Sequence, residues 1–168
     1  MGNFYTDVIQ KDPRYLSLLP CRDTSLLEPG FRSRVAAVIA GAKYMGITLV
    51  TTETFRSAAR QQDLYASGRT KPGQILTKLD GQSPQQIGVH HFGLACDFAR
   101  LEGGKADWAT ADWLLLGELA KDQGLTWGGD WGEPSNLHKP GEFHDWDHLQ
   151  GCSLIQEPGL FSGRWYPE

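Results

Sequence analysis

Apolar residues recur at helical spacing through segment 29–44, which is typical of a helix with one buried face. The positions on that face are Phe31, Val35, Val38, Ile39 and Ala42. Pro29 near the start and Gly46 beyond the end suit helix boundaries. Helices are also predicted over residues 58–67, closed by Gly68, and over residues 111–123, closed by Gly124.

Other segments have the period or composition of strands. Residues 47–52 are β-branched and apolar, and in segment 94–98 apolar residues alternate with Ala95 and Asp97, as in a strand with one buried face. Shorter strands are predicted at 125–127 and 145–150. Residues 70–89 have little periodicity and are predicted to form a surface loop.

The length and composition fit a single domain spanning 1–168, with a core at 29–150, an N-terminal arm at 1–28 and a C-terminal segment, 151–168, wrapped over the surface. A net charge of −4 argues against a nucleic-acid binder. No apolar run approaches the ~18 residues that cross a bilayer. Three widely spaced cysteines favour a reducing compartment. We expect a monomer.

One stretch carries candidate chemistry. His90 and Asp97 flank Gly93, which we expect to let the chain pass closely behind a bound ion. Imidazole and carboxylate are zinc ligands, and His148 would complete a set of three that leaves one position for water. Asp145 could then take a proton from that water. Taken alone, a histidine and an aspartate at this spacing are more often structural than metal-binding.

Other histidines compete for these roles. His91 is adjacent to His90, and His144 is four residues before His148, which would suit a metal held on a helix. Gly141 and the aromatic, β-favouring neighbours argue against a helix there. His138, in a polar loop, is predicted to be a surface residue.

Two other features are ambiguous. Arg56 precedes the first turn of the predicted helix 58–67, where a positive charge is unfavourable, so it is either present for a ligand or paired with Glu53. Trp127 and Trp131 surround a pair of glycines at a strand end, which indicates a pocket wall.

Several motifs occur in one order along the chain. They are Phe55-Arg56-Ser57, Arg60-Gln61, Leu64-Tyr65 with Gly68-Arg69, His90-x-x-Gly93-x-Ala95-x-Asp97, Trp127-Gly-Gly-Asp-Trp131 and Asp145-x-x-His148. Together they resemble the LAS metallopeptidases, named for lysostaphin, D-Ala-D-Ala carboxypeptidases and Sonic hedgehog. The chain looks most similar to the L-alanyl-D-glutamate endopeptidases of phage endolysins and bacterial wall enzymes, over residues 29–150.

The resemblance implies a small α+β fold in which an antiparallel sheet carries the site and about three helices pack with it. It implies that Zn²⁺ is held by His90, Asp97 and His148, with Asp145 as the general base. Arg56 would polarise the scissile carbonyl or hold a substrate carboxylate.

It also implies supporting and substrate-binding residues. Gln61 would support Arg56, and the peptide cleft would be lined by Trp127, Asp130 and Trp131. The implied partners are the stem peptides of bacterial peptidoglycan, cut between L-Ala and D-Glu. With no visible signal peptide, we expect synthesis in the cytoplasm and action on the wall after release or delivery.

The chain departs from the family pattern at Gly88, where a serine is usual, and in longer loops before His90 and over 132–144. Two alternatives stay open. One is a D-Ala-D-Ala carboxypeptidase or dipeptidase, although those relatives place glutamate where this chain has Asp145. The other is a zinc-holding binding module without catalysis, and the retained Asp145 argues against it.

Overall fold

The structure is a computed structural model that describes residues 2–109, 111–131 and 144–167. The helices in these ranges are α1 (Phe4–Asp7), α2 (Pro29–Tyr44), α3 (Ala58–Ala66), α4 (Trp113–Asp122) and α5 (Glu157–Phe161). The strands are β1 (Leu49–Glu53), β2 (Ala95–Glu102), β3 (Lys105–Asp107), β4 (Thr126–Trp127) and β5 (His148–Gln150).

The strands form one antiparallel sheet in the order β1-β2-β5-β4, and β3 pairs with the far end of β2. This confirms the α+β fold with an antiparallel sheet. None of the described helices is both long and apolar enough to cross a membrane.

Helix α2 spans the predicted residues. Pro29 occupies its first turn, and the carboxylate of Glu28 accepts hydrogen bonds from the amides of Gly30 (2.9 Å) and Phe31 (2.7 Å), which satisfies donors that have no partner within the helix. Four of the five predicted apolar positions are buried: Phe31, Val35, Val38 and Ala42.

Helix α4 begins two residues later than predicted, because the side chain of Asp112 accepts from the amide of Leu115 and caps the first turn. The hairpin from β2 through two glycines to β3 was not predicted, nor was α5. Strand β5 begins at His148 because residues 145–147 form a turn, closed by a bond from the amide of His148 to the carbonyl of Asp145 (3.2 Å).

The first half of β2 is buried on both faces. Ala95 and Ala99 are as inaccessible as Cys96 and Phe98, all at 0% exposure. The alternation therefore predicted the strand but was wrong in giving it one buried face. Asp97, among these apolar residues, keeps 17% of its side chain exposed.

The N-terminal arm packs against the turn that leads into β2. The amide of Glu28 donates to the carbonyl of Gly93 (2.9 Å). Gly93 has φ 69°, and a Cβ there would overlap the carbonyl of Leu26 and lie 2.6 Å from Cδ1 of Ile9. The glycine therefore makes room for the arm, rather than for an ion as expected from the sequence.

Candidate active site

The candidate site lies across three neighbouring strands. Glu53 of β1 pairs with Asp97 of β2, and Asp97 pairs with His148 of β5, so the three side chains lie in one row on one face of the sheet. The register of β1 shifts between Thr51 and Glu53, which is a β-bulge. The extra residue aligns Glu53 with Asp97, as bulges near functional sites often re-aim a side chain.

His90 joins this row from a 3₁₀ turn just before β2. Its Nε2 lies 3.1 Å from Oδ1 of Asp97, and Nδ1 of His148 lies 2.9 Å from the same oxygen. One ligand atom from each residue lies within 4.8 Å of the others. The structure therefore brings together the three residues predicted as metal ligands.

The histidine tautomers are fixed by outer partners. Nδ1–H of His90 donates to the carbonyl of Thr54 (2.7 Å), which leaves the lone pair of Nε2 facing Asp97. Nε2–H of His148 donates to Oε1 of Gln150 (3.3 Å), which leaves its Nδ1 lone pair facing the cluster. Hydrogen bonds of this kind are typical of histidines that bind metals.

The cluster fits a zinc ion. Zinc with bonds of about 2.0–2.2 Å in tetrahedral geometry places its ligand atoms roughly 3.3–3.6 Å apart, close to the 2.9 and 3.1 Å found here. Two neutral imidazoles and one carboxylate are a donor set that zinc accepts. Burial alone would raise the pKa of Asp97, but His90 and His148 outweigh it and hold that pKa well below its usual range.

Arg56 lies beside the cluster and forms ion pairs with Glu53 of β1 and Asp97 of β2. Its Nη2 lies 2.6 Å from Oε2 of Glu53 and 3.3 Å from Oδ2 of Asp97. Its Nη1 donates to Oε1 of Gln61 (3.2 Å), and Arg60 also pairs with Glu53 (3.3 Å). Burial would lower the pKa of Arg56, but Glu53 and Asp97 raise it, so the guanidinium is charged.

Asp145 reaches the site from the turn before β5. Its amide donates to the carbonyl of Gly128 (3.1 Å), and a Cβ on Gly128 would overlap the carbonyl of Asp145 and lie 3.2 Å from Cβ of His148. Only glycine allows this close approach. The charge of Asp145 contributes to the raised pKa of Arg56, and both side chains line the same cavity.

Asp147 is a second acid in this turn. Burial raises its pKa to about 7, with further contributions from Asp97 and Asp145. Oδ2 of Asp147 accepts a hydrogen bond from Nε1 of Trp108 (3.1 Å). A side-chain hydrogen bond with Asp145 adds to this rise in the pKa of Asp147.

A cavity of about 600 Å³ opens over the cluster. The ligand triad, Arg56 and Asp145 all line it, so the groups needed for hydrolysis face one space. Its other walls come from the loop before β2 and from the C-terminal segment, and include Leu76, Thr77, Lys78, Leu79, Gln85, Leu154, Glu157 and Phe161.

The two tryptophans predicted to line the cleft lie in different environments. Trp131 lines the cavity, with its ring 5.0 Å from that of His148. Trp127 is 4% exposed and lies in the core, where Gly117 and Gly129 leave room for its indole. Of the two adjacent glycines, Gly129 thus accommodates the packing of Trp127 and Gly128 the approach of Asp145, while Trp131 faces the cavity.

Asp130 and Gln61 are not among the described residues that line the cavity. Asp130 is an exposed residue that pairs with Lys121 (2.8 Å). Gln61 is fully buried, and its Nε2 donates to Oγ1 of Thr77 and to the carbonyl of Leu79. Gln61 therefore supports Arg56 from behind and joins it to the cavity loop.

The competing histidines point elsewhere. Nδ1–H of His91 donates to the carbonyl of Arg56 (3.1 Å), and its Nε2 accepts from the hydroxyl of Tyr15 (3.1 Å), on the side away from the cluster. Nδ1 of His144 bonds the carbonyl of Gly129 (2.9 Å). His138 and the loop 132–143 lie outside the described residues.

Sequence reasoning missed Gln150, which orients His148, and Glu157, which accepts from Nε2 of Gln150 (2.7 Å). The signal for Gln150 was present, because residues i and i+2 of a strand share a face. No local pattern connects Glu157, on α5, with the site.

Comparison with known proteins places these features in a family. A family model described as D-alanyl-D-alanine carboxypeptidase matches residues 81–138. The chain is 37% identical over 134 residues to the peptidoglycan L-alanyl-D-glutamate endopeptidase CwlK of Bacillus subtilis, covering 74% of this chain and 72% of CwlK.

A solved structure shares the fold. The L-Ala D-Glu endopeptidase ChiX of Serratia marcescens superposes with a TM-score of 0.51 at 17% identity, covering 83% of this chain and 92% of ChiX. The vancomycin-resistance D,D-dipeptidase VanXYg gives a TM-score of 0.48 at 14% identity, over 90% of this chain and 67% of that chain.

Proposed function

The chain belongs to the M15 metallopeptidase family, and from this premise we propose that it is a peptidoglycan peptidase that cuts the amide between L-Ala and D-Glu in stem peptides. The similarity to the Bacillus endopeptidase over most of both chains carries the proposal. The arrangement of a metal triad, an acid and a guanidinium around one cavity supports it.

We propose zinc as the ion, held by His90, Asp97 and His148. When bound, zinc would act as a Lewis acid on the scissile carbonyl and lower the pKa of a water to about 7. Thr54 and Gln150 keep the two imidazoles in the tautomers that such a site needs.

Asp145 is the proposed general base. Its carboxylate accepts the proton of the attacking water and returns it to the nitrogen of the leaving D-Glu. The turn that carries Asp145 packs against Gly128 and continues directly into β5, which begins at His148. These two constraints determine the position of the carboxylate relative to His148.

Arg56 is the proposed oxyanion and carboxylate partner. A guanidinium has five N–H donors, and four hydrogen bonds of Arg56 go to Glu53, Gln61 and Asp97 within the described residues. The remaining donor, on Nη1, can serve the substrate. Arg56 and Lys78 are the Arg and Lys side chains in the described cavity wall, and they suit the carboxylates of a stem peptide.

A second candidate is a D-Ala-D-Ala carboxypeptidase, which the description of the matching family model favours. A single arginine could also hold a terminal carboxylate. The aspartate at position 145 supports the endopeptidase instead, because the resemblance associates glutamate at that position with the carboxypeptidase branch.

Digestion of defined muropeptides, read by mass spectrometry, tests the proposal. We expect new amino termini at D-Glu and little action on the free dipeptide D-Ala-D-Ala. Protein treated with a chelator and then reloaded with zinc is the matched control. Release of D-alanine from pentapeptide stems as the dominant product would replace the endopeptidase with the carboxypeptidase.

A further inference from the structure

A second cavity, of about 590 Å³, lies on the other side of the turn that carries His90. This volume falls within the range of small-molecule sites, roughly 300–1,000 Å³. Aromatic rings from the arm, from the turn before β2 and from the C-terminal segment form much of its wall: Tyr5, Tyr15, Phe92, Phe161, Trp165 and Tyr166.

The aromatic wall is held in place by internal hydrogen bonds. The hydroxyls of Tyr5 and Tyr15 are 3.0 Å apart, that of Tyr15 donates to His91, and that of Tyr166 donates to the carbonyl of Phe92 (2.8 Å). With the hydroxyls used in this way, the rings are fixed before any ligand arrives, which lowers the cost of binding.

The described wall of this cavity has no Asp, Glu, Lys or Arg. His91 also lines the cavity, and its two ring nitrogens are already bonded to Tyr15 and to the carbonyl of Arg56. The polar groups are instead amides and hydroxyls, from Asn3, Gln82, Ser83 and Ser162. The cavity over the metal cluster differs sharply, because Glu53, Arg56, Lys78, Asp97, Asp145 and Glu157 line it.

This contrast matches the two chemical parts of peptidoglycan. The stem peptide is charged, whereas an N-acetylated sugar ring is neutral and has an apolar C–H face with hydroxyl and amide groups around it. Aromatic rings cover the apolar face of such a ligand, and side-chain amides and hydroxyls bond its edge. We propose that the aromatic cavity binds an N-acetylated sugar of the glycan strand.

The position of the cavity suits this ligand if the proposed function holds, on which this inference rests. L-Ala is joined directly to the lactyl group of the sugar, so the bond between L-Ala and D-Glu lies one residue away. An extended residue spans about 3.3–3.6 Å, which puts the sugar on the order of 10 Å from that bond. Phe161 lines both cavities, so one ring separates them there.

The test compares two substrates that differ only in the sugar, N-acetylmuramyl-tripeptide and the free tripeptide. We expect the protein to prefer the sugar-bearing substrate in kcat/KM by about tenfold, the effect of one good aromatic contact. Ser83→Phe, which fills the cavity at a side chain that forms no helix cap, should remove the preference and leave the free tripeptide unaffected. Ser33→Phe, at an exposed serine on α2, is the control and should keep it.

A binding measurement separates this inference from the proposed function. Calorimetric titration of the protein with fully N-acetylated chitotriose should show binding that Ser83→Phe and Trp165→Leu both weaken. Binding without cleavage of either peptide would reject the proposed function and keep the sugar site. Equal kcat/KM for the two substrates, with no heat from chitotriose, would overturn the sugar site and leave the peptidase intact.

Discussion

The two oxygens of Asp97 face different partners. Oδ1 lies between His90 and His148, and Oδ2 lies 3.3 Å from the guanidinium of Arg56. One carboxylate therefore fixes the distance between the metal cluster and the cation that is proposed to contact the substrate. A carboxylate with this low pKa keeps its charge for both roles across the neutral range.

Asp145→Asn should retain the metal and lose most turnover. The amide has nearly the shape of the carboxylate but cannot accept the proton, and general-base contributions are typically about 10²–10⁴-fold in rate. Metal content and kcat on a stem peptide, measured together, check this expectation.

Asp122→Asn provides the matched control, since that exposed aspartate ends α4 and is not in the described cavity wall. It should leave both quantities unchanged. Turnover near the wild-type rate in the variant at position 145 would remove that residue from the mechanism.

Adjacent histidines should behave in opposite ways. His90→Ala should lose the metal, because Nε2 of His90 faces Asp97, whereas His91→Ala should keep it, because both nitrogens of His91 are bonded to Tyr15 and the backbone of Arg56. Elemental analysis of the purified variants is the measurement. Full retention in the first and loss in the second would mean that the ligand is His91.

At the scale of elements, β5 and α5 form a support for the metal ligand. Gln150, 1% exposed, accepts from His148 and donates both to the carbonyl of Cys152 (3.0 Å) and to Glu157 (2.7 Å). The bonds that Gln150 donates orient its amide oxygen toward His148. The tautomer of the ligand thus depends on a helix near the C-terminus.

Gln150→Leu should weaken the affinity for the metal by about 10–100-fold, the usual effect of removing such an outer partner. Glu157→Gln should stay near the wild-type value, since its amide oxygen still accepts from Gln150. Competition with a chromogenic chelator measures both constants. Equal affinity in the wild type and Gln150→Leu would show that Gln150 does not set the ligand geometry.

Elements that are determined by local sequence could be predicted from the sequence alone. The apolar face and the start of α2 predicted that helix closely. The meeting of His90, Asp97 and His148 was implied by the resemblance of the combined motifs to a family, not by the local spacing alone. The bulge in β1, the pairing of Glu53 with Asp97 and the contact of Glu157 with Gln150 depend on long-range register, which no short window contains. Trp127 was misplaced because glycines beside an indole fit a pocket wall and tight packing equally well.

At the scale of the whole molecule, the arm packs behind the turn that carries His90. Ile9 and Leu26 belong to a small apolar cluster with Cys21 and Phe55, and Phe55 precedes Arg56 directly. The arm therefore packs against the segments that carry both His90 and Arg56. We expect its docking to contribute to stability as well as to the geometry of the site.

Gly93→Ala should lower the free energy of unfolding by about 2–5 kcal/mol, because its Cβ would be strained at φ 69° and would also overlap the arm. Gly124→Ala shares the strain, at φ 65°, but meets no atom within 4 Å among the described residues, so it should lose only about 1–2 kcal/mol. Urea unfolding of both variants gives the difference. Equal losses would show that the arm does not pack closely behind the turn.

The row formed by Glu53, Asp97 and His148 has one more consequence. Asp97 and His148 are 51 residues apart in sequence, and they meet because the β2–β5 ladder has the correct alignment. A slip of one residue in the β2–β5 ladder would turn one of the two side chains to the opposite face of the sheet. A misaligned chain would lack a complete ligand set. Tight binding of the ion would therefore stabilise the native strand register selectively over registers that are shifted by one residue.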